Sequence, residues 1–268
     1  MKTMMMIVLA VAVATLTGCR TVPVSGRTQL MLSGEEYENS LGEDAFKEYK
    51  QKYKVSANPT QNQAMKRVGD AIKVAAKQDS FNWEFVVLES AEANAWCLPG
   101  GKVAVYSGLF NYMANDAELA CVVAHEVAHA IARHGGERMS WANLQALGLY
   151  GLTSSTKNED IAMLYGLTTD VGVMLPFSRS NETEADAIGL TLMARAGYNP
   201  QAAVMFWQKF SDGKSQSKLD SWLSTHPGGD VRIKDLQAAM PGALQEYQAS
   251  PNKKDYGTSY TTGSKNLK

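Results

Sequence analysis

The sequence predicts an α+β fold, mostly helical, with one small β-sheet set among amphipathic helices. Three observations predict it. Apolar residues recur at helical spacing through most of the chain, and one stretch, 81–106, is instead rich in aromatic and β-branched residues around a Pro-Gly-Gly turn. The third is His125-Glu126-Val127-Ala128-His129, which places two of only four histidines one helical turn apart around a glutamate. With 268 residues, 45% hydrophobic and 20% charged, the chain can bury a full core. A net charge of -1 leaves no basic excess for a nucleic-acid partner.

In chain order, Lys2 precedes an apolar run over 4–14 that leads to Leu16-Thr17-Gly18-Cys19. The run is too short for a comfortable bilayer span and ends in small residues, as a cleaved signal does. Leu-Thr-Gly-Cys resembles a bacterial lipobox. That resemblance implies a signal peptide over 1–18, lipidation of Cys19 and a tether over 19–33 that packs loosely. It also implies a membrane partner reached through the lipid, at the periplasmic face of the outer membrane, because Arg20 is not the aspartate associated with inner-membrane retention.

A single main domain is expected over 34–240. Ser33 or Gly34 starts a helix to about Lys52, with Tyr37, Leu41, Ala45, Phe46 and Tyr49 on one side. Asn58-Pro59 opens a second, in which Met65, Val68, Ile72 and Ala75 recur. Residues 81–88 read as a strand, and residues 94–106 as a hairpin. Its first arm, Asn94, Ala95, Trp96, Cys97 and Leu98, is either an ordinary sheet strand or an edge that pairs with an extended polypeptide.

The central helix is expected to start at Asn115 or Asp116 and stop at Gly135-Gly136, with an apolar stripe on the side away from the histidines. Two imidazoles at this spacing can hold one Zn²⁺ per chain at about 2.1 Å each, and Glu126 reaches a metal-held water instead of the metal. Glu126 is then the base that takes a proton as a peptide carbonyl is attacked and returns it to the leaving amine. Cys97 and Cys121 form either a disulfide or two buried thiols.

Two further apolar stretches, 141–152 and 161–175, are broken by Asn143, Gln145 and Asp170 and read as helices, not membrane spans. A third metal ligand is required, and Glu182 is the candidate, four residues before Asp186 on a helix capped by Ser180 or Asn181 and ended by Gly197. Its rivals are Glu159, Asp160 and Asp170. Asp186 can accept the far N–H of a ligand imidazole such as His125, whereas Glu184 faces about 200° away and is expected in solvent. His226, in a loop with Arg232 six residues on, is either exposed or positioned to donate to an oxyanion, with Arg232 anchoring the loop. Residues 241–268 read as a polar, disordered tail.

Taken together, Asn94-Ala95-x-x-x-Pro99-Gly100-Gly101, His125-Glu126-x-x-His129, Phe177-Ser178-Arg179-x-x-Glu182-x-x-x-Asp186 and Ser224-Thr225-His226-Pro227 with Arg232 resemble a zinc metallopeptidase family. It includes the CAAX prenyl protease, HtpX and the mitochondrial inner-membrane stress protease. The resemblance implies a zincin-like fold of the gluzincin type, with His125, His129 and Glu182 as ligands, Asp186 behind them and Glu126 as base. It also implies that the sheet edge at Asn94–Leu98 faces the site and receives extended substrate, and that His226 stabilises the transition state or transiently blocks the metal. Two departures stand out: Gly228-Gly229 replaces the second proline common after His-Pro, and the transmembrane helices of the better-known members are absent. The expected function is hydrolysis of misfolded or unfolded envelope proteins. The alternative is a zinc-containing, chaperone-like factor of the outer-membrane assembly machinery with latent peptidase activity.

Overall fold

The structure, a computed structural model, describes residues 19–150, 178–211, 226 and 229–260. It opens with an antiparallel pair, β1 (Cys19–Thr21) and β2 (Thr28–Leu30), in the register Cys19↔Leu30 and Thr21↔Thr28. This replaces the loose tether expected there. Val22 lies in the main core, and Arg27 reaches across with two hydrogen bonds to Glu137 of 2.8 and 2.7 Å.

Helix α1 (Glu35–Lys52) starts at Gly34 as expected, with Glu35, Glu36 and Glu38 where the helix dipole favours acids. Its inner face is Leu41, Ala45 and Phe46, while Tyr37 is exposed. Helix α2 (Pro59–Ala76) is capped by the Asn58 side chain, which accepts from the Thr60 and Gln61 amides at 3.0 and 3.2 Å, and Pro59 costs no hydrogen bond at that position. Met65, Val68, Ile72 and Ala75 are buried along it.

The sheet has three strands, β3 (Glu84–Leu88), β4 (Ala95–Leu98) and β5 (Lys102–Tyr106), in the order β3-β5-β4. β3 runs parallel to β5, and β4 antiparallel to it through the Pro99-Gly100-Gly101 turn. There φ of 78° and 80° at the two glycines is the conformation L side chains avoid. β4 is therefore an edge strand among the described residues. Its alternation splits the core: Ala95 and Cys97 turn to the main cluster, Trp96 and Leu98 to a smaller one around Leu41, Phe46 and Tyr106.

Helix α3 (Asp116–Ile131) runs through the middle, capped by Asn115, whose side chain accepts from the Glu118 amide at 3.1 Å. Every residue of it is buried, so the expected one-sided stripe is in fact a helix enclosed all round, with polar residues such as Asp116, Glu118 and His125 paired to groups on neighbouring elements. It also stops earlier than Gly135-Gly136. Arg133 takes the left-handed conformation (φ 54°), held there by two hydrogen bonds to Glu38 and one to the Ser33 carbonyl, and α4 (His134–Tyr150) then contains both glycines.

Helix α5 (Arg179–Arg195) packs along α3 and is capped by Ser178, not by Ser180 or Asn181. Gly197 lies just beyond its end at φ 91°. Gly189 makes the close approach possible, since a Cβ there would sit 3.0 Å from the His125 backbone. Helices α6 (Gln201–Ser211) and α7 (Gly229–Ala249) complete the layer. Helix α7 continues through Pro241, and Ala243 and Tyr247 lie in the core, so the domain does not end at 240. Residues 250–260 are ordered too. Thr258 and Tyr260 donate to the buried Asp116 carboxylate at 3.0 and 2.9 Å, and the Lys254 amide bonds the Gly197 carbonyl at 2.7 Å. Backbone-to-carboxylate pairing of this kind lets a polar tail order without an apolar face of its own. The signal segment 1–18, the stretch 151–175 with Glu159, Asp160 and Asp170, and residues 261–268 lie outside the described residues. No described helix is long and apolar enough to cross a membrane.

Candidate metal centre

His125 and His129 stand one turn apart on α3, and α5 brings Glu182 against them. His226, held by the Arg232 guanidinium through its carbonyl at 3.3 Å, completes the group. One donor atom from each of the four lies within 4.8 Å of the others, and all four residues are buried. The individual separations are 3.1 Å from His125 Nε2 to His129 Nε2, 3.2 Å from His125 Nε2 to His226 Nδ1, and 3.1 Å from His226 Nδ1 to Glu182 Oε1. Glu182 lies 3.3 Å from His129 and 3.5 Å from His125.

These spacings test whether a metal fits. Ligand bonds of 2.0–2.1 Å in a tetrahedron place neighbouring donors about 3.3–3.4 Å apart; the observed separations of 3.1–3.5 Å, with Glu182 contributing one oxygen or the other, lie near that value. Protons alone serve the cluster poorly, because two ring nitrogens 3.1 Å apart share at most one hydrogen, whereas a cation satisfies every lone pair. Charge points the same way: among the described residues three carboxyl groups, Glu126, Glu182 and Asp186, are buried here, with the guanidinium of Arg232 against two of them and that of Arg138 near Glu182, which still leaves an excess of negative charge. Burial would raise Glu182, but the charge of His226 and hydrogen bonds from His125 and His129 outweigh it and hold the carboxylate well below its usual range. Burial would likewise lower His125, yet hydrogen bonds to Asp186 and Glu182 carry it up to about 9. The donor set therefore fits a divalent ion such as zinc.

Behind the donors the two α3 histidines are held in matching ways. His125 Nδ1 lies 2.9 Å from Asp186, whose other oxygen accepts from Arg232 Nε at 2.5 Å. Arg232 also donates to Glu182 and stacks its guanidinium 4.1 Å above the Trp207 ring. His129 Nδ1 faces His134 Nδ1 at 2.9 Å, and His134 Nε2 faces Glu184 at 2.9 Å. Glu184 is thus not in solvent as expected. Its helix face does point away from Glu182, but α4 and the N-terminal hairpin occupy that side. Burial there raises it, and hydrogen bonds from His134, Ser25 and Arg27 bring it down to about 2. Sequence reasoning missed His134, whose spacing from His129 matches no ligand pattern, and no local signal marks it, because the turn at Arg133 that places it is held by Glu38 and the Ser33 carbonyl.

Glu126 lies beside the cluster with one oxygen 3.4 Å from His226 Nε2, and Cys97 of β4 is its neighbour on the sheet side. The edge strand anticipated at Asn94, Ala95, Trp96, Cys97 and Leu98 therefore borders the Glu126 side of the group. Cys97 and Cys121 are both free thiols, so the disulfide alternative is not formed. Cys97 has Glu126 as its charged neighbour, whereas Cys121 has Asp186, Arg232 and Glu118.

Residues 59–240 match the model of peptidase family M48. A mitochondrial metalloendopeptidase OMA1 from Schizosaccharomyces pombe is 31% identical over 85% of this chain and 68% of its own length. The Arabidopsis thaliana protein of that name is 40% identical over 63% of this chain and 34% of its own. A beta-barrel assembly-enhancing protease from Escherichia coli is 30% identical over 67% of this chain and 39% of its own, so the chain spans well under half of two of these three relatives. With a match over more than half its length, and with the paired histidines and the later glutamate brought together in space, the chain belongs to peptidase family M48.

Proposed function

We propose that the chain is a zinc-dependent endopeptidase. The observation that carries the reading is the buried cluster of His125, His129, Glu182 and His226 with Glu126 next to it. His125, His129 and Glu182 would hold the metal, and zinc there would supply Lewis acidity for activating water and polarising the peptide carbonyl. Glu126 takes the proton released as the peptide carbonyl is attacked and passes it to the departing amine. Asp186 and Arg232 keep His125 and Glu182 in position. The outer edge of β4 accepts substrate as an added strand, through backbone hydrogen bonds that read little sequence. Glu126→Gln tests this: zinc content stays at one per chain, and digestion of casein falls by about 10²–10⁴-fold. Undiminished cleavage refutes the role of Glu126.

One observation favours a second state of the same enzyme. His226 occupies the fourth corner, and a closed four-ligand site has no place for a reacting water. The arrangement is that of a latent form, in which His226 must swing out before cleavage and can then donate to the developing oxyanion. If blocking dominates, His226→Ala raises casein turnover; if oxyanion stabilisation dominates, it lowers it; an unchanged rate rejects both.

The physiological setting belongs to the same proposal. A Cys19 lipid anchor at the periplasmic face of the outer membrane, misfolded envelope proteins as substrates and a link to outer-membrane assembly are supported by the Leu-Thr-Gly-Cys segment. The name of the Escherichia coli relative points the same way. Cys19→Ala should release the protein from the membrane fraction; retention there would count against the anchor.

A further inference from the structure

The N-terminal hairpin is joined to the candidate metal centre by an unbroken series of side chains. Arg27, on the connection just before β2, donates from Nε to Glu184 Oε2 at 2.8 Å, and the Ser25 hydroxyl donates to the other oxygen of the same carboxylate. Glu184 Oε2 lies 2.9 Å from His134 Nε2, and His134 Nδ1 lies 2.9 Å from His129 Nδ1. Arg27 is itself braced by Glu137, which also accepts from Asn181 at 3.3 Å.

The proton positions along this series follow from valence. An ionised carboxylate only accepts, so His134 Nε2 must carry a hydrogen for Glu184; neutral His134 then offers a lone pair at Nδ1. That lone pair requires the hydrogen of His129 to sit on Nδ1, which leaves His129 Nε2 bare and directed at His125, Glu182 and the metal position. Both imidazole bonds donate away from the metal, and Glu184 accepts from His134 on one side and from the Arg27 and Ser25 donors on the other. His125 reaches the same condition in one step through Asp186 and Arg232; His129 needs the extra imidazole because its carboxylate lies farther out.

We propose that His134, Glu184 and Arg27 are positioning residues for the metal centre, fixing the His129 tautomer and ring, so that residues 19–30 are part of the site's support. The proposal rests on the reading of His129 as a metal ligand. Carboxylates that orient ligating histidines are worth about 10–100-fold in metal affinity, and the same range is expected here.

The experiment measures zinc affinity of the purified full chain by competition with a chromogenic chelator at fixed pH, with casein digestion alongside. His134→Leu should bind zinc about 10–100-fold more weakly. His134→Gln, whose amide oxygen and nitrogen can accept from His129 and donate to Glu184, should restore affinity close to wild type, which a purely packing role does not predict. Arg27→Met, on the partly exposed hairpin where the core is untouched, should show a smaller loss in the same direction even if the His134 variants fold poorly. Wild-type affinity in both His134→Leu and Arg27→Met, or equal losses in the Leu and Gln variants, overturns the proposal. If the wild type takes up no zinc, or His125→Ala takes up as much as wild type, the metal reading itself fails, and the proposal with it.

Discussion

Gly189→Ala probes how α5 delivers Glu182 to the histidines of α3. The added Cβ would meet His125 Cα and N at 3.0 Å and the Ala124 carbonyl carbon at 3.1 Å. Carbon atoms in ordinary contact sit about 3.5–4.0 Å apart, so the helices must separate by roughly 0.5 Å. All three opposing atoms are backbone of a fully buried helix, and no side-chain rotation relieves the contact. Alanine in a helix interior gains about 1 kcal/mol over glycine from propensity, while overpacking of a core costs about 1–3 kcal/mol. The expected net change in the zinc-free protein is therefore small, from nothing to about 2 kcal/mol of destabilisation. Metal affinity is the more sensitive readout, because the donor spacings of 3.1–3.5 Å tolerate only about 0.2 Å in each ligand bond. A loss of about tenfold is expected, the lower end of what a lost ligand-orienting contact costs. Urea unfolding of the zinc-free protein and chelator competition measure the two effects. A variant that gains the full propensity term, about 1 kcal/mol, and binds zinc as the wild type does would refute the reasoning.

Other perturbations have equally definite outcomes. Arg232→Met leaves Glu182 and Asp186 buried without their guanidinium and should cost about 3–5 kcal/mol in urea unfolding of the zinc-free protein, with part of the loss recovered when zinc is added. Tyr260→Phe removes one donor to Asp116, which keeps Arg67 and the Thr258 amide, so a loss of about 1–2 kcal/mol is expected; no change would mean the tail does not hold the start of α3. Burial raises the thiol pKa of Cys97 and of Cys121, so each native thiolate fraction is depressed and alkylation, followed by peptide mapping, should rise only at higher pH than for a free cysteine. Under denaturing, non-reducing conditions both should label fully; a Cys97–Cys121 bridged peptide would contradict the structure.

Much of the architecture was legible in residue order. Asn58-Pro59, Asn115 and the Pro99-Gly100-Gly101 turn act through bonds within a few residues, and the elements they bound lie where local chemistry places them. The pairing of His125 with His129 was legible for the same reason, since a helix repeats every 3.6 residues whatever surrounds it. Where local signals failed, a distant partner had outweighed them. Gly135-Gly136 looks like a helix stop, but Glu38 and the Ser33 carbonyl, about a hundred residues earlier, hold Arg133 in the left-handed conformation and place the break there. The boundary expected at 240 fails likewise, since Ala243 and Tyr247 are buried beyond it.

By itself the sequence determined the family motifs, the helix that pairs two imidazoles and the turn that creates an edge strand, because each is set by neighbours in the chain. Only the tertiary structure decided that α5 lies close enough for Glu182 to join them, that His226 lies against the same group, and that Glu184 and Arg27 connect to His129 through His134. Apart from His129–His134, five residues apart, those are contacts between residues 44 to 157 positions apart, and their geometry follows from how closely α3, α4, α5 and the N-terminal hairpin pack, which no local pattern encodes.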